Sequence, residues 1–207
     1  MLSKFLLYSG IFSLALFILT VSVFRIAQVK YVFSQSPSSA PLQTNQIKID
    51  YNLAYPGTIL PDSIFWPLKA LRDKVWLALT PNPSKKAELY LLIADKRLCD
   101  ARMLFEDKKP DIAVSVLTKA EKYLALADGE ERIAHSEGMN TTDFLQKYMM
   151  ATLKHRQVLD DLLAIAPEDA RPLVVKTEDY PKKLYESARN GLLEAGANVP
   201  QNPFREN

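Results

Sequence analysis

The chain opens with an unbroken apolar run and then settles into apolar positions three and four residues apart. From Phe5 to Phe24, "FLLYSGIFSLALFILTVSVF", twenty residues pass without a charge. At about 1.5 Å rise per residue, a helix of that length crosses the roughly 30 Å hydrocarbon layer of a bilayer. The pattern therefore predicts a membrane-spanning signal-anchor helix over residues 1–33, held in the lipid bilayer through residues 5–24, with Arg25, Lys30, Tyr31 and Phe33 as interfacial groups. A cleaved signal peptide is the competing reading, but its apolar stretch is shorter and ends at small residues, whereas this one runs on into "VSVFRIAQVKYVF". Residues 34–48 follow as a linker rich in serine, proline and glutamine.

Beyond the linker the pattern is helical throughout. Leu68, Leu71, Val75 and Leu79 line one face of a first amphipathic helix, which stops at "TPNPS". Asn82 and Pro83 then form a cap and first residue for a second helix reaching to about Lys108. In it Ala87, Leu91, Ala94, Leu98, Ala101 and Phe105 make a narrow seam, matched after Pro110 by Ala113, Val116, Ala120, Tyr123 and Ala127. Two such seams joined by a tight turn predict an antiparallel helical hairpin. A further long helix is expected from about Thr142 to Ala166, with Phe144, Tyr148, Ala151, Val158, Leu162 and Ile165 inward. Pro172 and Pro181 predict two short helices or one kinked helix after it, closed by Gly196. No window alternates with period two, so no sheet is expected. The fold class is thus all-α: anchor helix, flexible stalk, and an antiparallel helical bundle over residues 49–196 built around a central long hairpin, with 197–207 as a flexible tail.

Charge and composition narrow the function classes. The net charge of +2 is uneven, because residues 1–33 carry Lys4, Arg25 and Lys30 and no acid, leaving 23 basic against 24 acidic residues, or −1, in the rest. A near-neutral domain with interspersed signs offers no basic stripe for nucleic acid. Positive charge is nearly balanced across the apolar run, so the charge rule does not orient it. The short N-terminal flank and the uncharged stalk instead suit a C-terminal domain on the extracytoplasmic side of the cell membrane. Cys99 is the sole cysteine, which excludes an internal disulfide, and its helical surroundings suit a small buried sulfur.

The entry to the helical region is unusual. "YPGTILPDSIFWPLKALRDK" sets three prolines and a glycine at the entry to the first helix. Gly57 after Pro56 predicts a turn, Asp62 or Ser63 a helix cap, and Pro67 a place in the first helical turn. Tyr55, Pro56, Gly57, Pro61, Asp62, Phe65 and Trp66 are the candidate site residues: a structural clasp whose aromatic groups, with Ile59 and Leu60, seal one end of the core, or an exposed patch that receives a partner.

These segments carry a resemblance. "YNLAYPGTILPDSIFWPLKALRDK", "KKAELYLLIADKRL", "KAEKYL" and "KHRQVLDDLLAIAPEDAR", in this order over about Asp50 to Arg171, resemble a bacterial family of membrane-anchored or exported helical domains of unknown function, domain family 5667. The chain departs from its pattern at Ile64, where the family has a further proline. The resemblance implies fold and topology, and brings no catalytic residue.

Searching for chemistry yields little. His135 and His155 lie twenty residues apart, outside any HExxH or Glu-x-x-His pattern, and His155 falls on the apolar stripe of its helix, as a histidine hydrogen-bonded at the core edge would. No G-x-S-x-G, P-loop or G-x-G-x-x-G occurs. Asp160 and Asp161 point about a hundred degrees apart on a helix, and Glu168 and Asp169 follow Pro167 where acids suit a helix start. No catalytic residue, metal ligand or cofactor is expected. The sequence points to a non-enzymatic structural or protein-interaction module of the cell envelope, with another envelope protein as partner. The alternatives are a small-molecule-sensing input domain acting through a partner chain, and an enzyme acting on wall or lipid.

Overall fold

The computed structural model describes Phe33 and residues 47–204, so the expected anchor helix at 5–24 and nearly all of the linker lie outside the described residues. Within them the fold is all-helical, with no strand: α1 Trp66–Ala78, α2 Pro83–Glu106, α3 Pro110–Ser136, α4 Thr142–Ile165 and α5 Arg171–Glu194. None of these helices is long and apolar enough to cross a membrane.

Each boundary has a local cause. The Asn82 side chain accepts the Lys85 N–H at 2.9 Å and Pro83 opens α2, as the sequence predicts. Helices α2, α3 and α5 end alike, with a residue in the left-handed region (Lys108, φ +57°; Gly138, φ +80°; Gly196, φ +64°) and the following N–H reaching back five residues. Pro172 falls in the first turn of α5, and Pro181 lies within it, so the expected break resolves as one continuous helix. Asp62 and Ser63 do not cap α1, which starts from Phe65 without a side-chain cap.

The most extensive interface is between α2 and α3, followed by that between α4 and α5; α3 also packs on α5, and α2 on α4. Ala87, Ala94 and Ala101 of α2 and Ala113, Ala120 and Ala127 of α3 are all buried at seven-residue intervals. Small side chains let the two helices approach, while Leu91, Leu98, Leu117 and Leu124 fill the gaps between them. From α4, Phe144, Tyr148, Ala151, Val158 and Leu162 are buried as predicted, but Ile165 is exposed at the helix end. The core also takes in both flanks of the helical region. Ile49 is buried and its N–H donates to Gln157 Oε1 at 3.1 Å. Where the sequence predicts a loose tail, Phe204 is buried in the same core beneath the Arg156 guanidinium, 4.4 Å from the ring centroid.

Helix α1 reverses the expected packing. Leu68, Leu71, Val75 and Leu79 do share a face, but that face is exposed, and Lys69, Asp73 and Leu77 are turned inward instead. The helix runs antiparallel to α2, with Trp66 against Arg97 and Leu77 against Leu89 and Ile93. A direct consequence is a contrast in stability. Leu117→Ala is expected to cost about 2–5 kcal/mol, whereas Leu68→Ala stays within about 0.5 kcal/mol; thermal unfolding of the detergent-solubilised chain measures both.

Candidate functional site

The residues of the clasp are placed by charge rather than by apolar packing. Tyr55 is 71% exposed, Phe65 is exposed, Pro56 is buried, and Pro61 and Trp66 are half-buried. Gly57 takes φ +89°, which swings the chain back toward α1. There the Lys69 ammonium donates to the carbonyls of Pro56 (2.8 Å) and Ile59 (2.9 Å). The expected aromatic seal is therefore absent: the clasp holds through its backbone, and Tyr55 and Phe65 point out. At its far end Asp62 pairs with Lys109, from the turn before α3, at 2.7 Å.

Beneath the clasp lies an ionic cluster shared by α1 and α2. Arg97 pairs with Asp73 at 3.0 Å and lies 3.7 Å from Asp100, and Lys69 lies 3.6 Å from Asp100. The Arg97 guanidinium also covers the Trp66 ring at 3.9 Å, with the Lys69 ammonium 4.8 Å from it. Burial pushes the Asp100 carboxyl up to about 6 against the pull of Lys69 and Arg97, and pushes both cations down. Lys69 donates to two clasp carbonyls and lies against Asp100, so this lysine is the pin of the clasp.

A second buried assembly sits at the centre of the molecule. His155 of α4 is fully buried, with Nδ1 2.8 Å from Glu121 Oε1 of α3 and Nε2 3.2 Å from Asp95 Oδ1 of α2. The Tyr51 hydroxyl donates to the other Asp95 oxygen at 2.9 Å. Burial alone would push His155 down, but the Glu121 charge and the hydrogen bonds to Asp95 and Glu121 outweigh it and raise the imidazole to about 10. Both ring nitrogens are then N–H donors, and neither has a lone pair left for a metal. Burial together with the Asp95 charge raises the Tyr51 phenol, which stays a donor. Cys99, one turn from Asp95, is pushed up to about 11, chiefly by burial, so its thiol stays protonated. Among the described residues no group of His, Cys, Asp and Glu is arranged to hold a metal ion.

The two histidines are not brought together. His135 lines a separate open cleft of about 530 Å³ at the end of the fold where α3 finishes, α4 begins and α5 ends. Arg132, Asn140, Asn190 and Glu194 share its lining. Its floor is fixed by the Thr141 hydroxyl, which donates to Glu131 Oε1 at 2.6 Å instead of capping α4. The cleft can hold a small polar molecule, with the carboxylates of Glu131 and Glu194 among its lining groups.

Asp95, Glu121, Asp73, Arg97 and Asp100 escaped the sequence reading. The signal was present: each is a charged residue set among buried positions of its helix, as Asp95 is beside Ala94 and Glu121 is beside Ala120. A charge in that place must find a partner on a neighbouring element.

Two outcomes test these assemblies. The folded-state pKa of His155 lies above its unfolded value of 6.5, so its stabilisation is fully present below pH 6.5 and is lost as pH rises through about 10. Stability is expected to fall over that window, and His155→Gln to flatten the pH dependence while costing about 3–5 kcal/mol by leaving two buried carboxylates uncompensated; denaturant titrations at several pH values measure both. Lys69→Met is expected to free residues 55–61 for proteolysis before α2–α5 are cut, read by limited digestion and mass spectrometry.

No curated protein and no solved structure matches the chain. Residues 58–169, more than half of the chain, running from the clasp through the end of α4, match the family described as Domain of unknown function (DUF5667). The chain belongs to that family of domains of unknown function.

Proposed function

We propose that this chain is a membrane-anchored, extracytoplasmic helical module that acts by contact rather than by catalysis. The observation that carries the reading is the reversed α1, which spends its charged residues on internal structure and presents Leu68, Leu71, Val75 and Leu79 to the outside. An apolar stripe of this kind is characteristic of a docking surface. The titratable groups that a catalyst would need exposed are committed elsewhere, since the His155 cation is held between the Asp95 and Glu121 carboxylates in the interior. The uncharged run at 5–24 supports the anchor and the uncharged stalk supports the placement of the domain outside.

A second reading, small-molecule sensing through a partner chain, draws on the cleft around His135. A thermal-shift screen separates the two, because a ligand in that cleft raises the unfolding temperature.

The placement is tested in cells. The chain is expected to stay in the membrane pellet through alkaline carbonate extraction and to be digested by protease added to intact spheroplasts. Release by carbonate would overturn the anchor, and protection until lysis would overturn the orientation.

A further inference from the structure

Helix α1 is amphipathic, and its two sides cannot exchange. Lys69, Asp73 and Leu77 form the inner side, where Lys69 pins the clasp and Asp73 pairs with Arg97. Ile64 (87% exposed), Leu68, Leu71, Val75 and Leu79 form the outer side, with Phe65 and Trp76 exposed on one flank. Rolling the helix to bury that stripe would expose the clasp pin and take Asp73 from Arg97 and Lys69 from Asp100. The apolar face is therefore committed outward.

Its occupant is indicated by charge, area and position. Between Ile64 and Thr80 the sole acid is Asp73, which is buried and pairs with both Arg97 and Arg72, while the exposed charged residues on α1 are Arg72 and Lys74. An apolar stripe with an aromatic flank and a basic rim fits an anionic bilayer surface, where Trp sits at the headgroup level and long cations reach back to water. A second copy fits less well: α1 is about 20 Å long and 10 Å wide, a footprint several-fold below the roughly 800 Å² per partner of a stable dimer. Position adds an independent argument. The Phe33 N–H donates to Asp111 Oδ1 at 2.9 Å in the first turn of α3, and Lys109 beside it pairs with Asp62 just ahead of α1. Phe33 thus attaches at the end of the domain where α1 starts. From Phe24, the last residue of the apolar run, to Phe33 a fully extended chain reaches no more than about 30 Å.

We propose that α1 is an interfacial helix, lying in the plane of the membrane with Leu68, Leu71, Val75, Trp76 and Leu79 in the headgroup and upper acyl region of an anionic bilayer. The inference rests on the anchor reading, and its test keeps the two apart. The chain has only two tryptophans, Trp66 and Trp76, and neither is in the apolar run. The full chain is reconstituted in phosphatidylcholine and phosphatidylglycerol vesicles with or without brominated acyl chains, and flotation and tryptophan emission are read on the same sample. Flotation with about twofold quenching by brominated lipid is expected, since insertion is about 5–10 Å deep. Trp76→Phe should abolish the quenching, and Leu68→Glu with Leu79→Glu should abolish it without loss of flotation. Flotation with unquenched Trp76, as when a second copy or a protein covers the stripe, would overturn the interfacial helix and leave the anchor standing. Failure to float would overturn the anchor and the inference with it. Undiminished quenching in the double glutamate variant would show that the stripe is not the lipid contact.

Discussion

The interaction on which this fold depends is a histidine shared between two carboxylates. His155 lies fully buried, and its ring joins Asp95 of α2 to Glu121 of α3 from a third helix, α4, while Tyr51 ties the entering segment to the same Asp95. Desolvating three charges is costly, and the arrangement is sustained only because each ring nitrogen meets a carboxylate at hydrogen-bonding distance. What it confers is register. The alanine seams of α2 and α3 repeat every seven residues, so a slide by one repeat sets alanine against alanine again along much of the interface. The same slide carries Asp95 and Glu121 out of reach of one imidazole and leaves buried charges uncompensated. Apolar packing brings the helices together, and the ionic triple selects one alignment among near-equivalent ones.

The second ionic assembly settles a different question, which side of α1 faces the world. Lys69, Asp73, Arg97 and Asp100 form a polar seam where an apolar one is the ordinary solution, and Trp66 lies under its two cations. Because Lys69 also holds the carbonyls of Pro56 and Ile59, the clasp and the helix orientation are one unit. The opening prolines therefore do structural work through backbone shape, and Tyr55 and Phe65 among them are left for the outer surface. Structure and proposed function meet at this point: charged residues fill the seam between α1 and α2, and the apolar residues that a core would use are presented outward.

Periodicity made the helices legible, down to the Asn82 cap and the seam residues of α2 and α3, because those follow from local geometry and the spacing of apolar positions. It identified the face of α1 and assigned it the wrong side, since amphipathicity shows that two faces differ but not which one finds a partner. His155 was legible as a histidine bonded to another helix; its position at the centre was not, because Asp95 and Glu121 are 60 and 34 residues away in sequence. The burial of Phe204 was hidden for a similar reason. A lone aromatic in a polar, proline-bearing tail gives no periodic signal, and its site is made by Arg156 on another helix.

The most direct test of this account is the ¹⁵N spectrum of the histidine rings as a function of pH. If His155 is the cation joining two carboxylates, both of its ring nitrogens stay protonated at pH 8. A neutral His155 tautomer at pH 7, with one ring nitrogen bare, would contradict it, and the alignment of α2, α3 and α4 would then need another cause.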